Sequence, residues 1–263
     1  VTLDTHSFIN IILIGTTVTF LASCFGALPI FFLKNISTKT RDILMGISAG
    51  VMLGAVCFSL INPAISLAEI KYTNKLTVAS YIALFVFLGS FGISYLNKKI
   101  PHEHFLKGKE GGESKALKRI WLFILAITIH NFPEGLAVGV GLGSGEVKIA
   151  LPIIIGIALQ DIPEGLVVAL SLKAYGYSNK YAINATLIAG LAESFGALLG
   201  CLATTISNSL LPAGLALSAG AMLYVICGEM IPELHRSGNE SKATTGFIFG
   251  FILMLFLDVG LSW

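Results

Sequence analysis

Charge is what this chain has least of. Only 12% of its 263 residues are Asp, Glu, Lys or Arg, whereas 55% are hydrophobic and mean hydropathy is +0.84. Soluble domains carry about 25% charged residues, so this shortage excludes a soluble catalytic domain and a basic face fit for nucleic acid. A GxxxxGK[ST] phosphate loop is missing, and with it a built-in nucleotide motor. There is no HExxH, the pattern in which a glutamate base sits between two zinc-binding imidazoles. Gly143-Ser144-Gly145 lies in a polar turn with no base beside it, which argues against a serine nucleophile. Cysteine is scarce as well. Cys24, Cys57, Cys201 and Cys227 are scattered through apolar sequence without CxxC spacing, as small buried hydrophobes are. The first residues lack the basic stretch and small-residue cleavage site of a signal peptide, so none is expected.

Long apolar sequence, by contrast, is abundant. Eight stretches are long enough to cross a bilayer, near 7–33, 42–68, 76–96, 119–142, 150–172, 182–206, 211–231 and 244–262. They predict an all-α, polytopic membrane protein, one transmembrane domain over residues 1–263 with eight transmembrane helices. The one substantial link, 97–118, reads as a solvated, flexible loop whose His102-Glu103-His104 could catch a transition metal. Fourteen Lys and Arg residues fall in the links after spans one, three, five and seven, and three (Lys71, Lys75, Lys148) on the opposite side. The positive-inside rule makes the richer side cytoplasmic. Loop 97–118 is then cytoplasmic and both termini are extracytoplasmic, in a cell inner (plasma) membrane.

The chemistry is concentrated in a repeated motif. His130-Asn131-Phe132-Pro133-Glu134-Gly135 returns thirty positions later as Gln160-Asp161-Ile162-Pro163-Glu164-Gly165. Residues four apart share a helix face, so His130 pairs with Glu134 and Gln160 with Glu164. Pro133 and Pro163 each lack an N–H and clash with the carbonyl four residues back, which predicts loosening at Ile129 and Leu159. The short link between spans four and five forces them antiparallel, as an inverted repeat around a midplane site would be. Glu134, Asp161, Glu164, Glu193 and Glu229 lie inside spans without Lys or Arg at comparable depth. A charged side chain at the bilayer centre costs about 2.5–3.5 kcal/mol on an insertion scale and needs a partner; a divalent cation is the simplest. The imidazole favours a borderline transition metal such as Zn2+. Span seven ends in Gly228-Glu229-Met230-Ile231-Pro232-Glu233-Leu234-His235, where Glu229, Glu233 and His235, with His102 and His104, are candidates for a release path.

These residues resemble the signature of the ZIP (Zrt-, Irt-like protein) family of metal transporters, and within it the bacterial GufA-like branch. HNFPEG in span four and QDIPEG in span five carry the resemblance, and the eight-span layout, outward termini and His-containing cytoplasmic loop extend it over essentially the whole chain. The resemblance implies a binuclear centre between helices four and five. One ion would be held by His130, Glu134, Gln160 and Glu164, with a thioether from Met52 in span two. The second would be held by Asn131, Asp161 and Glu193, with Glu134 and Glu164 bridging. Many family members have His-Asn where this chain has Gln160-Asp161, and an amide binds transition metals more weakly than imidazole.

The expected activity is therefore uptake of a divalent transition metal into the cytoplasm, by alternating access in which spans 1, 4, 5 and 6 move against 2, 3, 7 and 8. Zinc is the default cargo, with Cd2+, Fe2+, Mn2+ and Co2+ as further candidates and no prosthetic group. The resemblance also implies a homodimer in the lipid bilayer. A passive metal-selective channel and, further off, an intramembrane metalloenzyme are the alternative readings.

Overall fold

The computed structural model describes residues 5–33, 37–104, 108–110, 119–236 and 238–261. Eight helical rods follow one another in the order expected. α1 (Thr5–Ala27) closes in a 3-10 turn at Leu28–Phe31. α2 runs Thr38–Lys71, α3 Lys75–Lys99 and α4 Arg119–Gly143. α5 covers Val147–Ala174, α6 Asn179–Ile206, α7 Leu211–Leu234 and α8 Glu240–Leu261. Seven helices are long and apolar enough to cross a membrane, and α1 adds a shorter apolar stretch, Gly15–Phe31.

The loop after α3 holds a small addition to this all-helical plan. β1 (His102–His104) pairs antiparallel with β2 (Gly108–Glu110), with His102 opposite Glu110, and β1 packs against α4. Residues 105–107 and 111–118 of that loop lie outside the described residues.

Proline acts where the sequence does not announce it. α4 and α5 stay α-helical through Pro133, Pro152 and Pro163, so the loosening expected at Ile129 and Leu159 does not break either helix. The breaks are in α2 and α7. Each contains a π segment, Ala55–Ile61 and Ile226–Met230, and each resumes with proline as its second residue, Pro63 and Pro232. The carbonyls four residues back belong to Ser59 and Gly228, inside the widened turns. An i→i+5 turn moves them out of the way of the pyrrolidine ring.

Small residues set the helix separations. With lipid tails as apolar as leucine, association in a bilayer rests on close packing. α2 and α8 run parallel, Gly46 and Gly50 lying on the carbonyls of Ala243 and Phe247 while Gly246 and Gly250 lie on those of Ile43 and Ile47. α4 and α6 do the same through Gly135 and Gly139 on Glu193 and Ala197. α3 meets α7 at Gly89 and Gly220, where the Ser90 hydroxyl donates to the Gly220 carbonyl at 2.7 Å. A Cβ at Gly135 would collide with the α6 backbone, which cannot rotate aside as a side chain can. Gly135→Leu should therefore cost at least about 1–3 kcal/mol and lower the melting temperature in detergent. Gly92→Ala, with nothing within 4 Å of the added carbon, should not lower it, since alanine favours the helix over glycine; thermal melts of the two variants check the contrast.

Candidate metal centre

α4 and α5 form a tight antiparallel hairpin, turning at Gly145 with φ 70°. Gly141 lies beside Ala150 and Ile153 near the turn, and one register further in, Gln160 Nε2 donates to Glu134 Oε1 at 2.5 Å. The two copies of the motif therefore face each other. Gly135 brings α6 against α4 at Glu193 itself, so the glycine of the first motif sets the distance of the third helix. Asn131, Glu134, Gln160, Asp161 and Glu193 are all buried, none more than 4% exposed.

The hydrogen-bond inventory of this cluster is one-sided. Asn131 Oδ1, Glu134 Oε2, Gln160 Oε1, both oxygens of Asp161 and both of Glu193 are buried without a hydrogen-bond partner among the described residues. Thr19 and Asn131 stand near Glu193 without reaching hydrogen-bond geometry. Every one of these atoms is an acceptor. Buried polar groups left unmatched cost about 1–3 kcal/mol each, more when charged. Acids elsewhere in the helices do not share this state. Asp42 meets Arg41 at 3.1 Å and accepts from Asn239 at 2.9 Å, and Asp258 accepts from Ser59 at 2.9 Å. A water-sized cavity of about 10 Å³ opens beside the cluster, lined by Asn131, Asp161 and Glu164 with Ser23 of α1 and Thr186 of α6.

His130 is turned elsewhere. Its Nε2 pairs with Glu229 Oε2, in the π segment of α7, and the other oxygen of Glu229 accepts from Asn97 Nδ2 at the end of α3. Glu164 and Glu233 also lie within electrostatic range of His130. The sequence places His130 with Glu134, Gln160 and Glu164, and Glu229 at a release end; the structure joins Glu229 directly to His130. Among the described residues, no three His, Cys, Asp or Glu side chains are gathered closely enough to hold an ion as they stand.

On α2, the side chain that reaches the carboxylates is Ser48, whose Oγ donates to Glu164 Oε2 at 3.5 Å. Met52, one turn further, is buried in the apolar core that packs α2 with α4, α5 and α7. Of the release-path candidates, Glu229 and Glu233 are buried and His235 is exposed. His102 is buried with Nδ1 2.8 Å from the Ile100 carbonyl, and the His104 side chain lies outside the described residues. Thr19, Ser23, Ser48, Asn97 and Thr186 carry no sequence signal; neutral polar residues inside apolar helices of the same bundle are the one hint they offer.

Residues 102–258 match the family described as ZIP zinc transporters. The zinc transporter GufA of Myxococcus xanthus is 43% identical over 241 residues, covering 92% of this chain and 95% of that protein. The zinc transporter ZIPB of Bordetella bronchiseptica is 40% identical over 252 residues, 95% of this chain and 81% of that one. A zinc transporter ZupT of Streptococcus mutans is 32% identical over 257 residues, 95% and 96% of the two chains.

Unmatched acceptors also make a prediction about the protein without metal. Glu193→Gln keeps the shape and replaces a carboxylate of the cluster with an amide, a weaker ligand for a transition metal. It should leave the metal-free protein at least as stable while shrinking the rise in melting temperature that zinc produces. Melts with chelator and with zinc, compared with those of the unaltered protein, read both effects.

Proposed function

Because this chain belongs to the ZIP family of zinc transporters, we propose that it carries divalent transition metal, zinc first, through the centre between α4 and α5. It is a multi-pass membrane protein of a transport family and not an enzyme. The observation that carries the site assignment is the set of buried acceptor oxygens from Asn131, Glu134, Gln160, Asp161 and Glu193 with no donor to answer them. Divalent cations drawn into the cluster would supply the positive charge these oxygens lack, and the carboxylates of Glu134 and Glu164 have oxygens enough to bridge two ions. With one imidazole and an amide in place of a second, the donor set is harder than a two-histidine site. That leaves Mn2+, Fe2+ and Co2+ alongside Cd2+ as competitors.

Alternating access by sliding of two helix groups accounts for the packing. Where a glycine lies on the backbone of another helix, the two helices belong to one group: α2 with α8 and α3 with α7, or α4 with α6 and α1 with α5. Between the groups the glycines meet side chains, as Gly15 and Gly190 also do inside the second group, at Leu142 and Phe20. Gly156 of α5 faces the end of Met254 and the methyl of Ala55, and Gly214 of α7 faces Val140. Backbone-on-backbone contacts hold each of these pairs close, and the side-chain contacts beside Gly156 and Gly214 can be exchanged as one group moves against the other. The group α1, α4, α5 and α6 carries the candidate ligands; the other serves as the frame.

Direction follows from charge. With the Lys- and Arg-rich links in the cytoplasm, an inside-negative potential favours inward movement by about 2.3 kcal/mol per charge per 100 mV. Uptake into the cytoplasm, as a homodimer in the plasma membrane, completes the reading. In proteoliposomes holding the purified protein, radioactive zinc should enter saturably, and Glu134→Ala or Glu164→Ala should abolish that flux. Tight zinc binding that depends on Glu134, with no flux in any lipid, would remove transport from the assignment.

A further inference from the structure

Two ligand candidates of the mobile group are held by the frame. His130 of α4 is paired with Glu229 of α7, and Glu229 is oriented from behind by the Asn97 amide of α3. Glu164 of α5 accepts from Ser48 of α2. These links cross the same seam at which the helix groups meet through side chains. Glu229 and Asn97 are only 3% and 7% exposed, so water competes poorly for either, and a hydrogen bond to a charged group there is stronger than one between neutral groups.

We propose that Glu229, positioned by Asn97, competes with the metal for His130 and so latches the empty carrier to the frame. The inference rests on the assignment of His130 to the metal centre. An imidazole whose Nε2 is held by Glu229 cannot present that nitrogen to an ion shared with Glu134, one turn further along α4. Binding the ion therefore exchanges a bond between the two bodies for bonds within one of them. The same exchange that completes the coordination shell frees the seam, and loading and release become one event. Glu229 sits in the π segment, the one stretch of α7 whose turns are already widened. Asn97 is a positioning residue: it touches Glu229 and, through it, sets where His130 points.

The energetic consequence has a definite sign. A ligand that must first break an internal contact binds with its affinity reduced by the fraction of molecules in which the contact is open. Weakening the latch should make zinc bind more tightly, which general damage to the fold does not do. Isothermal titration of zinc into the full-length protein in detergent tests this on Asn97→Ala, Asn97→Ser and Glu229→Gln. Release of the latch predicts a three- to tenfold lower Kd for the Asn97 variants, roughly the gain expected from opening a site that is otherwise mostly closed. KM for zinc uptake should fall in the same proportion. A Kd unchanged or raised in folded Asn97→Ser and Glu229→Gln, as judged by melting temperature, overturns the latch. Glu134→Ala, measured alongside, separates the two ideas: if it binds zinc as tightly as the unaltered protein, the α4–α5 centre is wrong, whatever the latch variants do.

Discussion

An acceptor oxygen buried in apolar surroundings has to be answered by a donor or a cation. Most of this structure obeys that rule with donors. Asp42 has Arg41 and Asn239, Asp258 has Ser59, and Glu229 has His130 and Asn97. Among the described residues the unmatched atoms are concentrated where α4, α5 and α6 meet, on Asn131, Glu134, Gln160, Asp161 and Glu193, with single ones at Asn97, His102 and Ser218. Such an imbalance suits a place where a cation is bound, as proposed above, and the packing around it positions the helices that carry it.

Close helix contact is the first of those means. Gly135, inside the motif that also supplies Glu134, lets α6 approach until Glu193 stands across from it. The hairpin between α4 and α5 brings the second motif opposite the first, so that Gln160 bonds Glu134 directly. Small residues thus bring the helices of the cluster together and join the bundle in close pairs. Pairs joined backbone to backbone are rigid units, while the seams beside Gly156 and Gly214 are lined by deformable side chains. A carrier needs both properties at once: ligands fixed to one another, and a surface on which they can travel.

The π segments of α2 and α7 lie on the frame side of that division. Each relieves the clash of a proline, Pro63 or Pro232, and each carries a polar side chain that bonds to another helix: Ser59 to Asp258 and Glu229 to His130. A widened turn is a less strongly bonded stretch of backbone. In α7 the widened turn thus carries the side chain that meets His130. In the proposed latch, coupling between ion binding and movement requires no long pathway, because the contact to be exchanged is with His130 itself.

Much of the protein was legible along the chain. The eight apolar stretches fixed the number and order of the helices, since a bilayer leaves backbone polar groups no partner other than the helix itself. HNFPEG and QDIPEG, with Glu193, marked the cluster of acceptors, because spacings of three and four residues put donors on one helix face. What the chain could not display are bonds between helices remote in sequence: Ser48 with Glu164, 116 positions apart, His130 with Glu229, 99 apart, and Asn97 with Glu229, 132 apart. Nor did it reveal that Pro63 and Pro232, rather than Pro133 and Pro163, interrupt their helices. Periodicity records which face a residue occupies. Which neighbour that face meets, and whether a turn yields to a proline, is decided by close packing among all eight helices, and so only by the tertiary structure.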